Sequence, residues 1–124
     1  MILDINKGRM KHGFTVLAMK GSIHTGPDCR RIEQEVESLI RGNDTRIILD
    51  LSNVTHIDSA AIGCIVRCVS HVKKCCGALR LAGASGMIEH SFQLTKLHKI
   101  IEIYPTATDA AEHAPQPVQG AENL

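Results

Sequence analysis

Residues 46–63 read RIILDLSNVTHIDSAAIG, and the pattern within them decides the fold. Ile47, Ile48, Leu49 and Leu51 form a nearly continuous apolar run, as expected of a central strand covered on both faces. Asn53, Thr55, His56 and Asp58 then predict a polar bend. From Ser59 onward the apolar residues Ile62, Ile65, Val66, Val69 and Val72 recur at helical spacing until Gly77. A buried strand passing through a bend into an amphipathic helix is the centre of a parallel crossover unit.

Upstream, Ile2, Leu3 and Ile5, then Phe14, Val16, Leu17 and Met19, predict two short strands separated by KGRMKHG (7–13), whose Gly8 and Gly13 suit a turn. GSIHTGPD (21–28) reads as an irregular loop. Pro27 and Asp28 favour a helix start, and Ile32, Val36, Leu39 and Ile40 follow at spacings of three and four. Glu33, Gln34, Glu35 and Glu37 fill the opposite face until Gly42 and Asn43 stop the helix. Downstream, ALRLAG (78–83) predicts a strand, GMIEHSFQLTKL (86–97) a short helix, IIEIY (100–104) an edge strand and 108–113 a last helical turn. The order β, β, α, β, α, β, α, β, α predicts an α/β fold with one domain over 1–113. Its sheet is expected to be mostly parallel, with about four or five strands, an antiparallel N-terminal hairpin and about four helices mainly on one face. APQPVQGAENL (114–124) has two prolines, a glycine and few anchors, and reads as a flexible tail.

Composition narrows the function classes. With 124 residues, 44 % hydrophobic and 22 % charged, the chain is long enough to bury one core without disulfides or a structural metal. Trp 0, Tyr 1 and Phe 2 leave little to stack on a base, and a net charge of +1 gives no field to gather nucleic acid. The apolar runs are far shorter than the roughly twenty residues that span a bilayer, so no membrane insertion is expected. Charge in MILDINKGRMK occupies the place of a signal peptide's apolar stretch, which points to a cytoplasmic protein. Five cysteines, with Cys75 and Cys76 adjacent, fit reduced thiols better than a disulfide framework.

Several residue groups could carry chemistry. Asp58 is placed to cap the following helix, with Ser59 in the first turn and its hydroxyl near solvent. Ala60, Ala61 and Gly63 behind them permit close approach by another backbone. A phosphate on Ser59 would bring about two negative charges to a helix start, beside Asp58, and would obstruct an interface there. Cys64, Cys68, His71 and Cys75 fall along one helical stripe, but its ends are roughly 16 Å apart, too far for one metal ion. They read as ordinary buried or half-buried residues, so no metal is expected. Ser59, His56 and Asp58 are close in sequence without the nucleophile-elbow pattern, which makes a small hydrolase using Ser59 the least favoured alternative. GASG (83–86) lacks the lysine of a phosphate loop and reads as a turn.

The stretch 46–112, from Asp-Leu-Ser (50–52) through Asp-Ser (58–59) and the elements after it, resembles the STAS domain of bacterial anti-sigma factor antagonists. The resemblance extends over about residues 2–113 and includes Gly-Ser-Ile (21–23), where that family commonly has Gly-Glu-Leu. It implies a regulatory binding protein and not an enzyme. In such proteins the serine matching Ser59 is phosphorylated by an anti-sigma factor that is a serine kinase, and the unmodified antagonist binds that kinase. A metal-dependent serine phosphatase reverses the modification, and ATP belongs to the partner, so no cofactor is expected here. The resemblance implies a phosphoacceptor at Ser59 and partner contact at His24, His56, Asp58, Ser59, Ala60, Ala61, Ile62 and Cys64. Three positions depart from the family pattern. Ala60 replaces a second hydroxyl residue, Ala61 stands where glycine is usual, and His24 stands where aspartate is common. A STAS module that is not phosphorylated, in a regulatory or transport-associated complex, is the alternative. A homodimer stays open, because a modest dimer patch would look like the rest of the amphipathic pattern.

Overall fold

A computed structural model describes residues 3–112. Five strands lie in the order β1 (Asp4–Arg9), β2 (Thr15–Ile23), β3 (Arg46–Ile57), β4 (Ala78–Ala82) and β5 (Glu102–Tyr104). β1 pairs antiparallel with β2, and every later pairing is parallel. The parallel strands are joined through α1 (Pro27–Arg41), α2 (Ser59–Lys74) and α3 (Gly86–Leu94), and α4 (Ala107–Glu112) follows β5. This is the expected α/β order, with the antiparallel hairpin strand at one edge. The tail at 114–124, together with His113, lies outside the described residues.

Spatial order equals chain order, so each crossover steps in the same direction along the sheet. Crossovers of one hand that all step the same way deposit their helices on one face. α1, α2 and α3 accordingly share a core with alternate strand residues Leu17, Met19, Ile47, Leu49, Leu51, Leu79 and Leu81. The intervening residues Phe14, Ile48 and Ala82 face the other way, where Ala110 and Ala111 of α4 cover them. Arg80 is buried on that second face. Its guanidinium donates to Glu102 at 3.1 Å and to the Ala110 carbonyl at 2.7 Å, and lies 4.7 Å from the Phe14 ring centre.

Two sequence expectations need correction. Residues 53–57 do not form a bend: β3 continues through them to Ile57, and Gly21–Ile23, expected in a loop, is the end of β2. The two ends pair with each other, Lys20 with Asn53, Gly21 with Val54, Ser22 with His56 and Ile23 with Ile57. β4 pairs with β3 only along Arg46–Asp50, so beyond that point β3 has a neighbour on one side and most of its side chains meet solvent. This half-covered edge position, not departure from the sheet, is why the segment is polar. Register shifts at Ala18/Lys20 and Gly21/Ser22 place two extra residues on β3, and such bulges bend a strand and re-aim its side chains. In β1 the pairing also reaches further than the apolar residues indicate, through Lys7, Gly8 and Arg9, because an edge strand tolerates charge.

The GASG stretch, expected as a turn, is a short link from β4 into α3, which opens at Gly86, and its first glycine is obligatory. Gly83 has φ +76°, and a Cβ there would lie 2.8 Å from the Ser52 backbone nitrogen. Gly83→Ala combines left-handed strain with overpacking against β3, and we expect a loss of about 2–4 kcal/mol in urea unfolding. A loss below about 0.5 kcal/mol would mean that β3 and the turn can separate freely.

Candidate functional site

The paired ends of β2 and β3 deliver two chain segments to the same place. The Asp58 amide donates to the Ile23 carbonyl at 3.2 Å, so the chain leaving β2 at His24 runs beside the chain entering α2. Asp58 has extended backbone dihedrals, φ −86° and ψ 166°, and acts as the N-cap of α2. Its two carboxylate oxygens are divided between the segments: Oδ1 accepts from the Ala61 amide at 2.7 Å and Oδ2 from the Thr25 amide at 3.1 Å. One carboxylate therefore satisfies a helix N-terminus and fixes the loop before α1. Asp28, in the first turn of α1, accepts in turn from the His24 amide at 3.0 Å.

Around this junction the structure brings together His24, His56, Ser59 and Ala60, all exposed, and the half-buried Asp58. The His56 Nδ1 atom is 3.2 Å from the Thr55 hydroxyl, and His24 Nδ1 is 3.6 Å from Asp28. Ser59 is the first residue of α2 and accordingly is not its cap. Ala61, Ile62 and Cys64 do not join the surface. They turn inward, at 0 %, 6 % and 0 % exposure, because positions three, four and six after the cap fall on the core side of α2. The surface at this end of α2 is therefore formed by Ser59, Ala60 and their exposed neighbours.

The cysteine stripe is also divided. Cys64 and Cys68 are buried, whereas His71 and Cys75 are exposed. Cys29 of α1 lies against them: its thiol donates to the His24 carbonyl at 3.5 Å, and the Cys64 thiol donates to the Cys29 carbonyl at 3.6 Å. Burial and the neighbouring Cys64 push the Cys29 thiol up to about 12, and hydrogen bonding with Cys68 together with burial raises Cys64 as well. These thiols stay protonated and serve as small packing groups beneath the site.

Hydrolytic chemistry finds no support in this geometry. A serine hydrolase needs its carboxylate to orient an imidazole, and both oxygens of Asp58 are engaged with backbone amides instead. Sequence reasoning named Asp58 and Ser59 but missed Thr25 and the role of Asp28 as a second clamp. It also passed over Met87 and Leu94, which are 80 % and 70 % exposed and stand seven residues apart on one side of α3. The i, i+7 apolar spacing was the available signal.

Hydrogen bonds from Ala61 and Thr25 hold the Asp58 carboxyl below the usual aspartate range. A depressed folded value means that the cap stabilises fully above the unfolded value near 3.9 and loses this contribution as pH falls through the folded value. We expect Asp58→Ala to cost about 1–2 kcal/mol at pH 7 in urea unfolding, with the difference from the parent shrinking below about pH 4. A cost unchanged down to about pH 2 would show that shape and not charge carries the effect.

Comparison with known proteins accords with this geometry. The family model described as STAS domain matches residues 9–110. A candidate anti-sigma factor antagonist of Thermotoga neapolitana is 34 % identical over 67 residues, 54 % of this chain and 59 % of that protein. The match thus spans about three-fifths of the length of the curated relatives. Among solved structures, that of a candidate anti-sigma factor antagonist of Thermotoga maritima has a TM-score of 0.79 at 23 % identity, covering 87 % of this chain and 92 % of its own. The Bacillus cell fate determinant SpoIIAA in its phosphorylated form has a TM-score of 0.67 at 17 % identity, covering 86 % and 96 %. With the family model spanning the sheet from the end of β1 into α4, the chain belongs to the STAS domain family.

Proposed function

We propose that this STAS domain is an anti-sigma factor antagonist that switches partners by reversible phosphorylation of Ser59. The observation that carries this reading is the position of Ser59. It is exposed, it opens α2, and it stands next to a cap, Asp58, that already serves the helix. Its hydroxyl has no structural duty in the cap, so it can be modified without unfolding α2. The relatives named as anti-sigma factor antagonists, and the phosphorylated form of SpoIIAA, support extending that role to this chain.

In the switch, the Ser59 oxygen attacks the γ-phosphorus of ATP held by an anti-sigma factor kinase. Its proton passes to a base of the kinase, a P–O bond forms at Ser59, and ADP leaves. Hydrolysis by a metal-dependent phosphatase returns the hydroxyl and inorganic phosphate. The unmodified side chains of Ser59 and Ala60 are small, exposed and uncharged, which allows a partner's backbone to approach. A phosphate there adds roughly −1.5 to −2 charges beside ionised Asp58, and both its bulk and its charge oppose docking. Among the described residues no helix is long and apolar enough to cross a membrane, and a soluble cytoplasmic site of action fits this reading.

Ser59→Ala is expected to leave unfolding free energy within about 0.5 kcal/mol of the parent, since Asp58 supplies the cap. It should bind the kinase as tightly as the parent and accept no phosphate by intact mass. Ser59→Asp should bind at least about tenfold more weakly by calorimetry, a difference of about 1.4 kcal/mol. Incubation with ATP and the kinase should map one phosphate to Ser59. A stable complex with no phosphate on any residue would overturn the switch and leave a constitutive STAS binding module.

A further inference from the structure

Among the described residues, three large apolar side chains lie exposed: Met87 at 80 %, Leu94 at 70 % and Ile100 at 48 %. All three belong to α3 and the short helical turn Leu97–Lys99, which Ile100 caps. At about 100° per residue, seven residues return a helix to within about 20° of its starting direction, so Met87 and Leu94 form a straight ridge about 10 Å long. Ile88 and Phe92 turn into the core. Glu89 and Gln93 share a surface depression with His98 and with Ile103 of β5. The ridge therefore occupies the remaining flank of α3, the one turned toward α2. Lys73, near the end of α2, reaches across to the same segment, where its Nζ donates to the Ile100 carbonyl at 3.4 Å.

The charges around the ridge have one sign. Lys73, Lys96 and Lys99 have no carboxylate partner among the described residues, whereas Lys7 and Lys11 pair with Glu35 at 3.7 Å and Glu112 at 3.2 Å. Glu89, the one acidic residue of α3, lies on the flank facing Ile103. The chain as a whole is close to neutral, at +1, so this basic rim is a local feature.

We infer that the Met87–Leu94 ridge, with Ile100, is a docking surface for an acidic amphipathic helix of a protein partner, carried by other residues than the surface at Ser59. A helix recognised by its apolar face presents anchors at i, i+3, i+4 and i+7, and the i to i+7 step equals the spacing of Met87 and Leu94. Asp or Glu side chains beside those anchors meet Lys73, Lys96 and Lys99, which steers encounter and rejects basic partners. The flexible Met87 side chain adapts to the groove between such anchors. A second copy of the chain is the wrong partner by charge, because a two-fold contact through the ridge sets lysine against lysine. A lipid surface is the wrong shape, since a line of three side chains is not the broad apolar face that a helix lays into a bilayer. Docking here requires no phosphate on Ser59, so the inference goes beyond the partner switch and does not depend on it.

The test uses the full chain and two synthetic amphipathic helices, one of leucine and glutamate and one of leucine and lysine. Fluorescence anisotropy gives the affinities, and amide NMR locates the contact. We expect the leucine–glutamate helix to bind at least about tenfold more tightly than its lysine counterpart, to weaken as salt rises, and to shift the amide signals of Met87, Leu94 and Ile100. The double variant Met87→Ser, Leu94→Ser should lose at least about tenfold in affinity, and Lys96→Glu with Lys99→Glu should turn the preference toward the leucine–lysine helix. All four side chains are exposed, so thermal unfolding should stay cooperative in both variants. No binding of the leucine–glutamate helix, equal binding of the two helices, or equal binding by the parent and the Met87/Leu94 variant overturns the inference. A parent chain that binds phosphatidylserine vesicles and neither helix also overturns it and assigns the ridge to a lipid surface. Self-association of the parent that the Met87/Leu94 variant abolishes overturns it in favour of a second copy.

Discussion

The division of one carboxylate between two chain segments holds the functional end of this molecule together. Asp58 Oδ1 accepts an amide of α2 and Oδ2 accepts an amide of the loop before α1. The Ala61 amide is shared between Oδ1 and the Asp58 carbonyl, at 2.7 and 3.1 Å, and the Thr25 amide is tied to Oδ2. The consequence for function is separation of duties. Because Asp58 caps the helix, Ser59 is released from that task and presents a hydroxyl that chemistry or a partner can use.

That carboxylate reaches both segments because β2 and β3 stay paired far beyond the point where β4 ends. The extension is narrow, bulged and polar, and it carries Asp58 forward to bond with Ile23 and Thr25, on either side of His24. Beneath it, Cys29, Cys64 and Cys68 fill the space between α1 and α2 with small buried side chains. A rigid, close-packed base of this kind keeps the exposed residues in register, which a loop of the same length would not do. The other face of the sheet is organised differently, around a buried cation. Arg80 is satisfied by Glu102 and the Ala110 carbonyl, and it secures α4 over Phe14 and Ile48. This second layer is remote in character from the Ser59 site and is a matter of stability.

Much of this was legible in the residues themselves. The apolar run at Ile47–Leu51, the periodicity from Ile62 to Val72 and the stops at Gly42, Asn43 and Gly77 fixed the order and type of the elements. The polar stretch 53–57 was misread because polarity reports exposure, and an exposed strand edge and a bend expose their side chains equally. Ala61, Ile62 and Cys64 were placed on a docking face because proximity to Ser59 in sequence says nothing about which side of the helix they occupy. The burial of Arg80 was illegible for a related reason: its partners are 22 and 30 residues away.

The sequence by itself determined the α/β succession, the helix cap at Asp58 and the candidate acceptor at Ser59, since periodicity and capping depend on residues within a few positions of one another. Only the tertiary structure decided that β2 and β3 run together to Ile23 and Ile57, that Thr25 shares Asp58 with Ala61, and that His24 stands at the same junction. Those contacts join residues 33 or 34 positions apart, and their closeness is a property of strand register and packing, which no local pattern encodes.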